Sequence, residues 1–221
     1  TFFPNTAIKE INSLTTQSKA IDTAGNSYLA DKIILCSGEE FNFLYPELFQ
    51  NSDLEVVKLQ MLRLKANKSI QIPGNILTGL SIRRYESFQD CPSYSSLADK
   101  YNHDDFARKW GVHILFKQEI DGSIILGDSH EYADAKCKNS LSFDIRSDIN
   151  QYFIEEGKKV FDLESWEIET QWAGYYTQCK TSDIFQKTID KNIHIVTGIG
   201  GKGMTASAGF AYENIKKIFA I

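Results

Sequence analysis

The sequence predicts a mixed α/β protein, α+β by content, in which an antiparallel middle region is inserted between two chain ends that form one layer. Three observations predict this arrangement. Residues 32–36 and 192–197 are apolar blocks that each lead into a glycine, as buried strands of a parallel sheet do. Residues 55–64 read as a strand with alternating side chains. Residues 110–118 and 123–127 flank an Asp-Gly pair, which is typical of a β-hairpin.

The composition excludes disorder and limits the kinds of partner. The 221 residues are 42% hydrophobic and 24% charged, which is enough to bury a sizeable core. The formal net charge of -5 gives no general attraction to nucleic acid or to an anionic membrane. No stretch approaches the roughly 18 apolar residues of a membrane span, and no leader opens the chain, so a cytoplasmic location is expected.

The cysteines and histidines are scattered along the chain. The four cysteines form no CxxC pair, so neither a zinc knuckle nor a redox dithiol is predicted, and reduced thiols are expected. The four histidines show no ligand spacing, and we predict no metal site. Asp128 and Glu131 are interpreted as the charged end of a hairpin rather than as paired catalytic carboxylates.

The sequence also predicts short strands before residue 32 and further elements in the middle region. Short antiparallel strands at 6–11, 15–21 and 28–29 precede the block at 32–36, which we expect to be covered on both faces. A second middle strand is predicted over 75–83, and the polar stretch 88–106 is interpreted as a loop or lid that leads into a short helix. A further helix begins at Ser147, predicted to be its N-cap, and continues to Val160 and Phe161.

The chain ends in a strand, a glycine turn over 198–203 and a helix over 204–219. The turn satisfies G-x-G-x-x-G, but the further strand and the acidic residue about 20 positions on that a dinucleotide fingerprint needs are not found before Ile221. Glycines permit close backbone approach, and the start of the helix carries partial positive charge, so an electron-rich group is expected there. The alternative is a turn that serves only tight packing of strand and helix.

Three segments carry a resemblance to known proteins: residues 197–205 (TGIGGKGMT), residues 30–38 (ADKIILCSG) and residues 171–174 (QWAG). In this order they resemble the C-terminal flavin-binding turn, the strand that ends at the FAD and the stretch before the last flavin loop in one enzyme superfamily, the FAD-dependent D-amino-acid oxidases and glycine oxidases. Residues 58–63, 91–93, 110–113 and 127–132 are similar to the branch associated with aminophosphonate catabolism.

This resemblance implies the C-terminal part of a two-domain FAD-linked oxidoreductase. Residues 1–50 and 171–221 would form part of a split FAD-binding layer, and residues 51–170 an antiparallel substrate-binding domain. The superfamily's amino-terminal βαβ unit, which holds the FAD pyrophosphate, is not among the matched segments, and we expect this chain alone to hold FAD weakly or not at all. The expected cofactor-binding residues are Ala7, Ile8, Ser37, Gly38, Gly200, Gly201, Lys202, Gly203, Met204 and Thr205.

The resemblance also implies the chemistry, which is hydride transfer from a small amine to the flavin. The superfamily's arginine that holds the substrate carboxylate is replaced here by Gly174-Tyr175-Tyr176, which favours an acidic amine or aminophosphonate held by another cation. The candidate substrate-binding residues are Arg63, Arg84, His113 and Tyr176; no catalytic residue is predicted. Surface salt bridges for the arginines and a structural role for the histidine are the alternatives.

Two interpretations of the whole chain follow from this reading. It is either part of an FAD-dependent amine oxidoreductase, or a non-catalytic fragment or scaffold subunit that does not bind FAD by itself. The expected partners are a small-molecule amine and either a missing amino-terminal segment or further copies of the chain. Nucleic acid and membrane are not expected partners.

Overall fold

The computed structural model describes residues 1–83, 85–101 and 105–221, and these divide into two compact units. Unit 1 comprises residues 1–57, 133–140 and 175–221; unit 2 comprises residues 58–132 and 141–174. The division differs from the predicted domains mainly in that residues 51–57 and 133–140 belong with the two chain ends. Helices and mostly antiparallel strands confirm the predicted mixed α/β class.

Twelve strands and seven α-helices are present in the described residues. The strands are β1 (Ile8–Ser13), β2 (Ser18–Asp22), β3 (Ser27–Ala30), β4 (Ile33–Leu35), β5 (Leu54–Leu64), β6 (Asn75–Leu77), β7 (Leu115–Gln118), β8 (Ile124–Gly127), β9 (Glu131–Asp134), β10 (Ile168–Cys179), β11 (Phe185–Ile189) and β12 (Ile193–Thr197). The helices are α1 (Pro46–Gln50), α2 (Gly79–Ile82), α3 (Glu86–Gln89), α4 (Tyr94–Tyr101), α5 (Asp105–Lys109), α6 (Ser147–Gly157) and α7 (Gly203–Phe219).

The first sheet of unit 1 is the antiparallel meander β1-β2-β3. Asp22 closes the turn between β2 and β3, because its carboxylate accepts hydrogen bonds from the Asn26 backbone N–H at 2.8 Å and from the Tyr28 hydroxyl at 3.0 Å. The side chain of Asn26 also donates to it at 2.9 Å. These hydrogen bonds, that of the Asn26 side chain above all, hold the pKa of the Asp22 carboxyl below its usual value.

The second sheet of unit 1 joins the two ends of the chain, in the order β11-β12-β4. β12 pairs in parallel with β4, with Ile193 opposite Ile33, which confirms that the two apolar blocks share one layer. The prediction that β4 is covered on both faces is wrong. Its three residues are only half-buried because β4 lies at the edge of the described sheet, whereas Ile193 and Ile195 of the central strand are buried.

The predicted C-terminal helix is confirmed as α7, but most of its apolar residues are not buried. The proposed shared face consists of Met204, Ala208, Ala211, Ile215 and Ile218. Met204 and the two alanines are exposed, and Ile215 is 39% exposed. Within α7 only Asn214 is buried, and it accepts a hydrogen bond from Gln186 of β11 at 2.7 Å.

The sheet that carries unit 2 has the order β10-β5-β8-β7-β6, with β9 also paired to β5. The predicted hairpin is confirmed as β7 and β8, whose register places Gln118 opposite Ile124. Leu62, Phe116 and Leu126 of the sheet pack against Ile149 and Phe153 of α6, and all five side chains are fully buried. This contact is the centre of the core of unit 2.

Two predictions about the middle region are wrong in detail. The strand expected over 75–83 ends at Leu77, and the chain continues as α2, where the Ser81 hydroxyl donates to the Ile114 carbonyl at 2.9 Å. The expected loop over 88–106 contains α4 and the beginning of α5, while residues 102–104 lie outside the described part. Whether this stretch closes as a lid stays a prediction.

The start and the end of α6 also differ from the prediction. Ser147 is the first helical residue rather than the cap, and the N-cap is Arg146, without a capping side chain of its own. The helix ends at Gly157, before Val160 and Phe161. A Cβ at position 157 would lie 2.7 Å from Cζ3 of Trp166, so this glycine is needed for the close packing at the end of the helix.

Among the described residues, none of the helices combines the length and the apolar character that crossing a bilayer requires.

Candidate functional site

The glycine turn after β12 is shaped first by packing. Thr197 and Gly198 are buried at the end of the strand, and Gly198 has a φ of 74°. A Cβ there would lie 2.6 Å from Cδ2 of Leu54 and 3.1 Å from the sulfur of Cys179, so the space admits no side chain. The packing alternative considered for the sequence motif therefore accounts for this glycine.

The following residues are open to solvent. Residues Gly200–Lys202 form a short 3-10 helix that leads into α7, and no side chain caps the start of α7. Gly201, Lys202 and Thr205 are exposed, and Met204 is fully exposed. The first-turn N–H groups of a helix carry partial positive charge, so this bend presents an electropositive backbone edge that side chains do not seal.

The turn after β4 is tied to the end of β12. The Gly38 carbonyl accepts hydrogen bonds from the Thr197 hydroxyl at 2.7 Å and from the Thr177 hydroxyl at 3.3 Å. Gly38 has a φ of 63°, and a Cβ built on it would meet no atom within 4 Å, so one side of the turn is open. The Ser37 hydroxyl donates to the Glu40 carbonyl at 3.1 Å and closes the other side.

Ala7 and Ile8 occupy a different sheet of the same unit. The Ala7 carbonyl accepts the Thr23 backbone N–H at 2.9 Å, and Ile8 opens β1 and is half-buried. Of the predicted cofactor residues, Ser37 and Gly38 thus lie at the end of β12, the strand that leads into the glycine turn. Ala7 and Ile8 lie instead at the start of the β1-β2-β3 meander.

The predicted substrate-binding residues fall in both units. Tyr176 is half-buried on β10 in unit 1, and Arg63 lies on β5 in unit 2. Arg63 Nε lies 2.9 Å from a carboxylate oxygen of Glu169, and its guanidinium also pairs with Asp121. A substrate anion would have to compete with these two carboxylates for Arg63. Arg84 lies outside the described residues.

His113 belongs to a cluster that sequence reasoning missed. Its Nδ1 lies 3.2 Å from one carboxylate oxygen of Asp128, and Nε2 of His130 lies 3.6 Å from the other. All three side chains are buried. Asp128 follows the open end of the hairpin, as the sequence predicts, but it is buried and contacts both histidine rings.

The hairpin register contained the signal for this cluster. Leu115 lies opposite Gly127, and the same register continued by two residues places position 113 opposite position 129, between Asp128 and His130. The backbone keeps the two segments side by side but shifts the register by one residue, since the N–H of His113 donates to the carbonyl of Asp128, at 2.7 Å, and not to that of Ser129. Spacing along the chain alone does not reveal the convergence.

Comparisons with known proteins give a consistent result. No curated protein matches the sequence. The family described as FAD dependent oxidoreductase matches residues 1–213. Among solved structures, glycine oxidase from Geobacillus kaustophilus superposes with a TM-score of 0.65 at 10% identity, over 99% of this chain and 49% of that chain.

Two further solved structures agree with this fold. Glycine oxidase from Bacillus cereus has a TM-score of 0.66 at 12% identity, over 99% of this chain and 51% of its own. Glycerol-3-phosphate dehydrogenase from Bacillus halodurans, complexed with FAD, has a TM-score of 0.58 at 13% identity, over 99% of this chain and 40% of its own. This chain therefore spans about half the length of these proteins or less, and identities this low establish the fold alone.

Proposed function

Because this chain belongs to the family of FAD-dependent oxidoreductases, we propose that it forms part of an enzyme that oxidises a small amine with FAD as the cofactor. The observation that carries the proposal is the open, uncapped start of α7 beside the glycine turn. The glycine oxidases among the structural neighbours support an amine substrate, although the neighbours also include a glycerol-3-phosphate dehydrogenase.

The residues at this bend fit a flavin. A flavin ring presents carbonyl oxygens and ring nitrogens that accept hydrogen bonds, and the exposed start of α7 carries partial positive charge. The Gly203 N–H already donates to the Gly200 carbonyl, so the ring would be held by other N–H groups of this bend. The open side of Gly38 leaves room for close approach of a second group. FAD, when bound, supplies the acceptor for the hydride that leaves the amine C–H bond.

The part of this chain in the reaction is orientation and electrostatics. The partial positive charge at the start of α7 would stabilise negative charge on a reduced ring held there. The hydrogen bonds of Thr197 and Thr177 to the Gly38 carbonyl fix that turn against the end of β12. No protein base is required if the amine arrives neutral, because hydride transfer then needs no preceding proton transfer.

The proposed substrate is an amine that also carries an anionic group, such as an aminophosphonate. Support comes from the similarity of residues 58–63 and 127–132 to the aminophosphonate-associated branch, and from the absence of an arginine at Gly174-Tyr175-Tyr176. Tyr176 is the proposed aromatic wall of the substrate or flavin site. Arg84 remains a proposed cation for the anionic group, whereas Arg63 is engaged by Glu169 and Asp121.

A titration with lumiflavin, which is the isoalloxazine ring without ribityl or phosphate groups, tests the proposed ring site. We expect saturable quenching of lumiflavin fluorescence by the chain, because the residues assigned to the ring need no pyrophosphate contact. A chain that quenches neither lumiflavin nor FAD would instead be the non-catalytic fragment or scaffold subunit.

Two matched variants localise the binding. Gly203→Val and Gly209→Val place the same side chain in α7, and neither carries a cost in helix propensity, because valine is a better helix former than glycine. A Cβ at Gly203 meets Cγ2 of Ile199 at 3.1 Å beside the bend, whereas one at Gly209 meets nothing within 4 Å. We expect the first variant to lose lumiflavin binding and the second to keep it; equal binding by both would place the flavin elsewhere.

A further inference from the structure

Three potential metal ligands converge in the interior of unit 2. His113, Asp128 and His130 are 7%, 6% and 3% exposed, and each offers one ligand atom within 4.8 Å of the other two. The Asp128 carboxylate lies between the rings, with one oxygen 3.2 Å from His113 Nδ1 and the other 3.6 Å from His130 Nε2. The ring centroids of the two histidines are 4.4 Å apart.

The backbone orients one of these rings. His130 Nδ1 lies 3.2 Å from the Gly111 carbonyl oxygen, and a backbone carbonyl can only accept, so Nδ1 carries the proton in this contact. In this tautomer of His130 the lone pair that can bind a metal ion is on Nε2, the ring nitrogen that faces Asp128. Histidines that bind metals usually donate their other N–H to a carbonyl or carboxylate in this way, which fixes the tautomer and the ring plane.

We propose that His113, Asp128 and His130 bind a divalent transition-metal ion of the Zn²⁺ type. Two imidazole nitrogens and one carboxylate oxygen suit Zn²⁺ and its first-row neighbours, whereas Mg²⁺ and Ca²⁺ prefer all-oxygen sites. Bonds of about 2.0–2.2 Å in a tetrahedral site place the ligand atoms about 3.3–3.6 Å apart. Here one ligand atom of each residue lies within 4.8 Å of the other two, so binding of an ion would draw the three side chains slightly together. The fourth position of the ion would be taken by water.

The neighbouring carboxylate is not part of the proposed site. Glu131 forms an ion pair with Lys58, whose ammonium lies 3.1 Å from it, so the candidate ligands are His113, Asp128 and His130. This inference does not depend on the proposed flavin chemistry, since it uses residues of unit 2 alone.

A competition titration tests the site on the chain as it is. The four cysteines are first alkylated with iodoacetamide, so that the exposed thiols do not bind zinc, and the protein is stripped with EDTA. Zn²⁺ is then titrated in the presence of a chromogenic chelator. We expect one equivalent to bind, and Asp128→Asn and His130→Gln to weaken the affinity by at least about tenfold, the scale at which even outer-shell partners act.

His194→Gln is the control, because His194 is also buried but lies in unit 1, where its Nδ1 contacts the Thr188 hydroxyl at 3.1 Å. It should leave zinc binding unchanged. Visible absorption of Co²⁺ bound to the alkylated wild-type chain gives a readout that needs no variant, so a variant that does not fold does not decide the question. Absence of a saturable Co²⁺ spectrum, or zinc binding that survives Asp128→Asn undiminished in a folded protein, would overturn the proposal.

Discussion

The Thr197 hydroxyl donates a hydrogen bond of 2.7 Å to the Gly38 carbonyl, across 159 residues of sequence. This contact fastens the end of β12 to the turn after β4, the two places where the sequence predicts contacts with FAD. The Thr177 hydroxyl reaches the same carbonyl at 3.3 Å and lies 3.1 Å from the Thr197 hydroxyl. The Gly38 carbonyl therefore accepts one short and one long hydrogen bond.

Removal of the shorter bond should cost more stability. Thr197→Val keeps the volume of the side chain but not the hydroxyl, and we expect the free energy of unfolding to fall by about 1 kcal/mol, the typical net worth of a buried hydrogen bond. Thr177→Val should cost less, because its bond is longer and Thr197 still satisfies the carbonyl. Urea denaturation followed by circular dichroism measures both; a larger loss for Thr177→Val would contradict the ranking.

A pair of glycine substitutions separates backbone strain from steric conflict. Gly38 and Gly198 both have positive φ, at 63° and 74°, so alanine at either position pays a similar conformational cost of about 1–2 kcal/mol. Only at Gly198 does the new Cβ also collide, 2.6 Å from Leu54 Cδ2. We expect Gly198→Ala to be less stable than Gly38→Ala by a further ~1–3 kcal/mol, the usual cost of overpacking.

The double variant Gly198→Ala with Leu54→Ala checks the cause of that difference. If the collision with Leu54 is responsible, the double variant should be more stable than the sum of the single effects predicts. Strict additivity of the unfolding free energies would show that the collision is not the source of the loss.

Much of the fold follows from local sequence signals, whereas the site depends on distant contacts. The Asp-Gly pair predicts the β7–β8 hairpin because short loops fix register locally: the Glu119 N–H donates to the Ser123 carbonyl, and the loop of residues 120–122 ends at Gly122, whose φ is 88°. The cap of α6 could not be predicted in this way, since Gln60, 86 residues away, accepts the Arg146 backbone N–H at 2.8 Å. The cluster of His113, Asp128 and His130 can be predicted in part. The register of the hairpin brings its residues near one another, but the spacing of the histidines along the chain does not indicate this.

Gln60 should be essential for the stability of unit 2. Its side chain is fully buried; its Nε2 donates to the Arg146 carbonyl at 2.7 Å and to the Asn150 side-chain oxygen at 2.6 Å. Gln60→Leu leaves the backbone N–H and C=O of Arg146 without this partner in a partly buried place. We expect a loss of about 2–4 kcal/mol, since each such group costs about 1–3 kcal/mol.

Gln151→Leu is the matched control for this loss. Gln151 lies on the exposed side of α6, where it donates to Glu155 at 2.8 Å, and surface substitutions of this kind usually stay within about 0.5 kcal/mol. Equal unfolding free energies for the two leucine variants would mean that the amide of Gln60 contributes nothing specific. Thermal unfolding monitored by near-ultraviolet circular dichroism would serve as the measurement.

His194 is 9% exposed on β12. Burial, and to a lesser degree the positive charge of Lys32, lowers the pKa of the His194 imidazole below its ordinary value of 6.5. The surrounding cavity, about 370 Å³ in volume, is also lined by Lys187, Lys191 and Lys217, whose charges have the same sign. The folded state therefore disfavours the imidazolium.

The direction of the pH effect follows from proton binding in the two states. As the pH falls below about 6.5, the unfolded chain takes up a proton at His194 before the folded chain does, so the unfolding free energy falls until the pH passes the folded-state pKa. Above that window both states are neutral at this residue, and its contribution does not change with pH. In His194→Gln the free energy of unfolding should therefore change less with pH than in the wild type, between neutral pH and the folded-state pKa of His194.

Lys32→Gln distinguishes the two causes. It removes a positive charge near His194 but leaves the ring on β12, so we expect the pKa of His194, followed by NMR of the ring protons, to rise and yet to stay below that of an exposed histidine, because burial is the larger cause. An unchanged pKa in Lys32→Gln would exclude the lysine as a contributor. A wild-type pKa at or above 6.5 would show that the cavity does not exclude the imidazolium at all.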